Sequence, residues 1–213
     1  MAQASISYQV PASSENPTMI DLASDPFTLF GTWMEAANAS ELNDPNAMTV
    51  ATTTLDGHPS ARIVLLKSWD TDGFVFYTNF ESRKSIEIAT NPHVALLFHW
   101  KTRKRQVRIE GIAAPVTTAE ADDYFESRPR LSRIGAWASD QSRPLPDRRL
   151  LEQRLETEIA RYANQAVPRP PHWSGWRVRP EAIEFWEDRD FRLHDRVTFT
   201  RTAHAWDSTR LYP

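Results

Sequence analysis

Near its carboxyl end the chain reads Arg192, Leu193, His194, Asp195, Arg196. Alternate residues of an extended strand share a face, so this spacing predicts that Arg192, His194 and Arg196 point the same way. Two permanent cations beside an imidazole that exchanges protons near neutral pH suit an anionic, hydrogen-bonding ligand; the competing reading is a solvated strand face. A second cluster is Ser82, Arg83, Lys84. Ser82 is placed to cap a helix beginning at Arg83, where free backbone N–H groups and two cations would converge on a phosphate. Cations oppose the dipole at a helix start and cost stability unless an anion arrives, so an exposed basic turn is the alternative. The third cluster is Tyr124, Arg128 and Ser132, spaced by four. All three donate hydrogen bonds to phosphate oxygens and face one point if Pro129 only bends the helical path. Otherwise Tyr124 belongs to the core and Arg128 to solvent.

Other polar positions are less specific. Arg62 and Lys67 bracket Ile63, Val64, Leu65 and Leu66. Their odd separation puts them on opposite faces of a regular strand, so both reach one ligand only through a bulge or at the strand's end. Gln106 and Arg108 alternate with Val107 and Ile109 as one polar strand face, and Gln141-Ser142 follows Trp137 and Asp140 in a loop.

Several chemistries are excluded. The chain has no cysteine, which removes disulfides, thiolate nucleophiles and Cys-ligated metals and fits a reducing compartment. Its six histidines show no metal-helix spacing, and its six glycines form no nucleophile elbow, P-loop or dinucleotide-binding turn. No apolar run reaches membrane-spanning length, and Met1 to Ser14 lacks the pattern of a secretory signal, so a cytoplasmic protein is expected. All 25 Lys and Arg residues follow Ala61, whereas seven acids precede Arg62. The remainder is only mildly basic, which argues against a general nucleic-acid binder. The segment from Lys101 to Arg108 lacks the aromatic platforms that single-stranded RNA needs.

The elements that must position these residues are mostly strands. Residues 1–24 are polar and aperiodic and predict a mobile arm, with one domain over 25–213. Asp25 before Pro26 predicts a helix to about Ala39 with Phe27, Phe30, Trp33, Met34 and Ala37 on its inner face. A hairpin is expected from Ala47 to Lys67 with a tight turn at Asp56-Gly57. Strands follow at 74–78, 94–100 and 105–116, with a short helix at 83–90 ended by Asn91-Pro92. Helical patterns occupy 119–127 and 147–164, the second expected to bury Leu150, Leu151, Leu155, Ile159 and Tyr162. After the Pro-rich break from Val167 to Pro171, strands are expected at 175–179, 183–186, 196–200 and about 205–211. Strand follows strand without regular helix alternation, which predicts a mainly β antiparallel barrel with peripheral helices.

The stretches RIVLLK (Arg62–Lys67), FYTN..SRK (Phe76–Lys84), RQVRIEG (Arg105–Gly111), YFESRPRLSRIGAWA (Tyr124–Ala138), Gln141-Ser142, VPRPPHW (Val167–Trp173), IEFW (Ile183–Trp186) and RLHDR (Arg192–Arg196) run in the order and spacing of a known family. From about Asp25 to Pro213 the chain resembles the pyridoxamine 5'-phosphate oxidase (pyridoxine 5'-phosphate oxidase) family. The resemblance implies an FMN-binding split β-barrel homodimer with two FMN sites in clefts between subunits. It implies oxidation of pyridoxamine 5'-phosphate and pyridoxine 5'-phosphate to pyridoxal 5'-phosphate, with oxygen as acceptor and hydrogen peroxide as by-product. Flavin contacts fall on Arg62, Ile63, Val64, Leu65, Leu66, Lys67, Tyr77, Thr78, Arg83, Lys84, Gln106, Gln141, Ser142, Trp186 and Arg196. Substrate contacts fall on Lys67, Tyr124, Arg128, Ser132, Arg192, Leu193 and His194, of which Arg192 and His194 lie against the reacting ring as the catalytic pair. No metal is implied. One departure is the arm: family members often carry an Arg and a Tyr there that close over the substrate, whereas this arm has no Arg and only Tyr8. The competing functions are a related split-barrel flavin oxidase of the phenazine-pathway type and a non-catalytic carrier of FMN or pyridoxal 5'-phosphate.

Overall fold

The protein is seen here as a computed structural model that describes residues 19–213. Most of the expected arm, residues 1–18, lies outside the described residues. Its expected end is corrected: Ile20 is only 6% exposed and joins the main core. The Ile20 N–H donates to Asp195 Oδ2 at 2.7 Å and its carbonyl accepts from Arg210 Nη2 at 2.7 Å.

Helix α1 (Pro26–Asn38) starts as its sequence requires, with Asp25 accepting from Thr28 N and proline at the first helical position. The strands are β1 (Ala47–Thr53), β2 (Pro59–Leu65), β3 (Ser68–Asp70), β4 (Gly73–Asn79), β5 (His93–Trp100), β6 (Arg105–Pro115), β7 (Trp173–Glu187), β8 (Asp195–Arg201) and β9 (Trp206–Leu211). Between them lie α2 (Arg83–Thr90), α3 (Thr118–Ser127), α4 (Arg130–Ala138) and α5 (Arg148–Arg161). The strands form one antiparallel sheet in the order β2-β1-β5-β6-β7-β4-β3, with β8 on β7 and β9 on β8. The long β7 pairs with β6 on one side and, on the other, with β4 at its start and β8 at its end. Inner faces alternate with polar outer ones, as on β6, where Val107 and Ile109 are buried and Arg108 and Glu110 exposed. Against the inner face α1 packs Phe30 edge-on to Phe74 and Phe98, and Trp33 edge-on to Phe185.

Four local expectations are corrected. The β1–β2 turn is not the two-residue kind: Gly57 N–H donates to Thr54 O, and only Gly57 has a positive φ (88°), the pattern of a type I turn closed by a glycine bulge. The strands expected at 175–179 and 183–186 are one 15-residue strand, because the Pro180 ring fits a register shift opposite Glu110/Gly111. β3 and α4 were not foreseen. Finally, of the five residues expected to be buried at 147–164 only Tyr162, the C-cap of α5, is deeply buried (4% exposed); α5 itself buries none, and Leu150 and Ile159 are 42% and 40% exposed. It lies on a small second cluster of Phe125, Ile134, Tyr162, Val167 and Trp173, to which it adds only part-buried Leu155, so its apolar stripe finds no broad face to cover.

Candidate functional site

A cleft of about 540 Å³ opens where the end of β2, β4, α2, the α3–α4 corner and the Gln141 loop meet. One wall is aromatic. The Tyr77 ring stacks on Tyr124 at 4.0 Å between centroids and on Trp173 at 5.4 Å, nearly parallel to both. Burial pushes the Tyr77 phenol's pKa up, and the neighbouring Glu120 adds to the effect. β7 brings Gly175 beneath this stack, where an added Cβ would lie 2.8 Å from the Tyr77 ring and 3.0 Å from Val116. Gly175→Ala should therefore cost about 1–3 kcal/mol, because a ring stacked on Tyr124 and packed beside Trp173 has little room to swing aside. A denaturant midpoint equal to wild type would show that the ring yields freely.

Arg128 lies over Trp173, its guanidinium carbon 4.7 Å from the ring centroid. Its Nη1 is buried without a hydrogen-bond partner among the described residues, and burial pushes the guanidinium's pKa down. A buried unpaired cation donor is costly and marks a place for an anion. Tyr124 and Ser132 line the same cleft, so the spacing of four does converge, though not along a bent helix. The chain breaks instead: Arg128 is extended (φ −73°, ψ 148°) because the following proline disfavours the helical region, and Pro129 is the N-cap of α4.

Opposite, Lys84 is 8% exposed and its Nζ donates to Gln141 Oε1 (2.7 Å), Thr78 Oγ1 (2.8 Å) and Ser82 Oγ (3.0 Å). Ser82 occupies the N-cap position but does not cap α2; its hydroxyl donates to Asn79 O at 2.7 Å, a nearer acceptor-rich partner. Burial, aided by the charge of Arg62, pushes the Lys84 amine down to about 8. Because that folded-state value lies below the unfolded one, the cost of burying the ammonium is full below about pH 8 and relieved as pH rises from there toward 10.5. Affinity for an anion runs the other way. A phosphate monoester, dianionic at both pH values, should bind about tenfold more weakly at pH 9 than at pH 7 by titration calorimetry. Equal affinity would mean that Lys84 does not meet the phosphate.

The odd spacing of Arg62 and Lys67 is resolved at the strand's end. Lys67 follows β2, donates its N–H to Val75 O and lines the cleft with Ile63, Val64 and Leu65. Leu66 is 3% exposed, its side chain in the core and its backbone bonded both ways to Asn46. Arg62 turns away from the cleft lining toward Thr52, Ser60 and Glu87. Arg83 and Ser142 line an adjoining groove with Glu87.

The remaining residues form a second cluster. Gln106 pairs with Trp186 and Trp186 with Arg196, so these three side chains lie in one row across β6, β7 and β8 on the outer sheet face. Buried Glu184 holds Arg196 Nη2 at 3.1 Å and Arg108 Nη2 at 2.9 Å. The single extended face expected for Arg192, His194 and Arg196 is corrected. Asp190–Arg192 is a 3-10 turn, Phe191 and Arg192 have φ of 57° and 62°, and β8 begins only at Asp195. Two successive non-glycine residues in the left-handed region are costly and hold exposed Arg192 and Leu193 off the sheet. His194 packs on Trp186 at 4.6 Å, with Nδ1 2.9 Å from Asp188 Oδ1, so that Nε2 is the ring nitrogen left to a ligand. His194, Leu193, Met19, Arg210 and Tyr212 line a cavity of about 760 Å³.

The two clusters share no lining residue and lie at opposite ends of β7, whose 15 residues span about 45 Å when extended. Trp173, Glu87, Glu184 and Asp188 were missed by sequence reasoning. Only the aromatic after the Pro-rich break, Trp173, carried any local signal; the carboxylates are brought in by strand register and loop closure.

The family model described as pyridoxamine 5'-phosphate oxidase matches residues 34–162, and that described as the pyridoxine 5'-phosphate oxidase C-terminal dimerisation region matches 173–213. The pyridoxine/pyridoxamine 5'-phosphate oxidase of Gluconobacter oxydans is 60% identical, covering 92% of this chain and 98% of its own. That of Rhodopseudomonas palustris strain BisB5 is 54% identical with both chains fully covered. Among solved structures, PhzG from Burkholderia lata, in complex with tetrahydrophenazine-1-carboxylic acid, superposes with a TM-score of 0.85 at 33% identity over 91% of this chain and 95% of its own. With both model regions matched in chain order, and relatives this similar from end to end, the chain belongs to the pyridoxamine 5'-phosphate oxidase family.

Proposed function

We propose that the protein is an FMN-dependent oxidase that converts pyridoxamine 5'-phosphate and pyridoxine 5'-phosphate to pyridoxal 5'-phosphate, with oxygen as acceptor. The observation that carries this reading is the buried, partnerless Arg128 Nη1 in a cleft shared with Lys67, Tyr124 and Ser132. Those groups are donors, and together they suit the phosphate of the substrate. A second anion fits the start of α2, where Lys84 is buried among neutral oxygens and Arg62 and Arg83 converge on one carboxylate. The donor set therefore suits a flavin carrying a single phosphate, with Tyr77, Thr78, Gln141 and Ser142 beside it.

When bound, FMN accepts a hydride equivalent from the C4' carbon of the substrate and passes the electrons to oxygen, which leaves as hydrogen peroxide. The chain's own contribution is placement. Lys67, Tyr124, Arg128 and Ser132 anchor the phosphate and so fix the distance of the ring. Arg192 covers the ring and polarises the reacting group, and His194 Nε2 orients the ring oxygen or relays a proton while Asp188 holds Nδ1. Since the row of Gln106, Trp186 and Arg196 lies far along β7 from the phosphate cleft, one flavin touches both only if a second copy supplies the row. A homodimer with two composite sites follows, in keeping with the matched dimerisation region.

Aerobic turnover of the flavin-loaded protein with pyridoxamine 5'-phosphate tests the proposal. Aldehyde and peroxide formed in equal amounts are expected. Bound flavin without turnover would overturn it in favour of another substrate or a carrier role.

A further inference from the structure

Beneath the start of α2 lies a carboxylate that no step above uses. Glu87 is 4% exposed and sits one turn along α2 from Arg83. Its Oε2 accepts from Thr52 Oγ1 on β1 at 2.5 Å and from Ser60 Oγ on β2 at 2.6 Å, and lies 3.4 Å from Arg62 Nη2. The other oxygen, Oε1, accepts from Arg83 Nε at 2.8 Å. The two hydroxyls also receive the Arg62 guanidinium: Nη1 donates to Thr52 Oγ1 at 2.5 Å and Nη2 to Ser60 Oγ. Arg62 is thus held by Glu87 largely through a pair of hydroxyls that pass the hydrogen bonding on. Although burial pushes the carboxyl up, the bonds from Ser60, Thr52 and Arg83 hold it down to about 2, so it is charged at every working pH.

The arrangement is unusual for local stability alone. An Arg that precedes a Glu by four is the weaker order on a helix, and cations at a helix start oppose its dipole. What the arrangement does achieve is rigidity. Two long cationic side chains from different elements are fixed toward one point, with Lys84 beside them, before any anion arrives.

We propose that Glu87 is a positioning residue which pre-orients Arg62 and Arg83 for the phosphate of the flavin, and thereby makes the protein select the phosphorylated flavin over riboflavin. This rests on the FMN reading above. A purely Coulombic role would have the opposite sign, since an acid beside a phosphate repels it. Removing Glu87 would then tighten binding, whereas loss of pre-orientation weakens it.

The test titrates the flavin-free full chain with FMN and with riboflavin, following flavin fluorescence. For Glu87→Ala the Kd for FMN is expected to rise about 30-fold, as two charge-assisted hydrogen bonds lose their geometry, with riboflavin affinity unchanged within about threefold. Glu87→Gln, which keeps an acceptor for both hydroxyls, is expected to fall between Ala and wild type. Ser60→Ala, which leaves the carboxylate in place, should weaken FMN binding by several-fold; it reads the same relay if Glu87→Ala fails to fold. Tighter or unchanged FMN binding in these variants, or equal losses for both flavins, would overturn the proposal. If the unmodified protein itself does not prefer FMN to riboflavin, the FMN reading fails instead.

Discussion

Replacing Arg128 by Met should raise the KM for pyridoxamine 5'-phosphate about 100-fold while making the ligand-free protein more stable. The first effect follows from a guanidinium nitrogen, Nη1, that is buried and has no hydrogen-bond partner among the described residues. Its worth is realised only with a phosphate, and truncating one partner of such a desolvated charge pair costs about 3 kcal/mol. The phosphate does not change during the reaction, so the loss is uniform binding, seen in KM with kcat nearly constant. The second effect follows from the same burial, because in the empty site the desolvation of the cation is offset only by its contact with the Trp173 ring. Methionine keeps a contact with Trp173 and removes the charge, so a gain of about 1 kcal/mol, or 2–4 °C in Tm, is expected. Steady-state kinetics and thermal unfolding of the same variant decide the matter. A wild-type KM would remove Arg128 from the phosphate site, and a lowered Tm would show that its guanidinium has a structural partner.

Arg192→Ala should lower kcat about 100-fold with FMN still bound. Arg192 is exposed, in a turn outside both the phosphate cleft and the α2 cluster, so flavin content by absorbance should equal that of the parent. Its expected role is polarisation of the reacting group, and deleting one such donor typically costs 10²-fold or more. The left-handed backbone at Phe191 and Arg192 costs on the order of 1 kcal/mol per residue and gives no packing in return, since Phe191 is 69% exposed. Alanine inherits the same strain, so stability should stay within about 0.5 kcal/mol. Turnover equal to wild type would withdraw the catalytic assignment from Arg192 and leave His194 to be tested alone.

Both variants show what kind of information was local. The α1 helix was readable because its cap, its proline and its apolar period all sit within a short window, and so were the strands whose alternation follows their pleat. The spacing of Tyr124, Arg128 and Ser132 picked out three groups that do line one cleft, but for the wrong reason, since a break at Arg128-Pro129, not a bend, turns them together. The pentad from Arg192 to Arg196 was misjudged in its backbone: nothing in an alternating polar pattern announces two positive φ values. The expected burial along α5 failed at Leu150 and Ile159, though it held at Tyr162 just past the helix, because periodicity reports which face is apolar, not whether a surface exists to receive it.

Residue type and order by themselves determined the family, the mainly β antiparallel architecture and the basic, hydroxyl-bearing groups suited to phosphate, because these depend on local pattern and on donors that keep their chemistry in any context. Only the tertiary structure decided that these groups fall into two clusters at opposite ends of β7, that Arg128 Nη1 has no hydrogen-bond partner among the described residues, and that Glu87, Glu184 and Asp188 stand behind Arg62, Arg196 and His194. Such pairings join residues far apart in the chain through strand register and loop closure, and a carboxylate carries no mark in its own sequence neighbourhood of the cation it will meet.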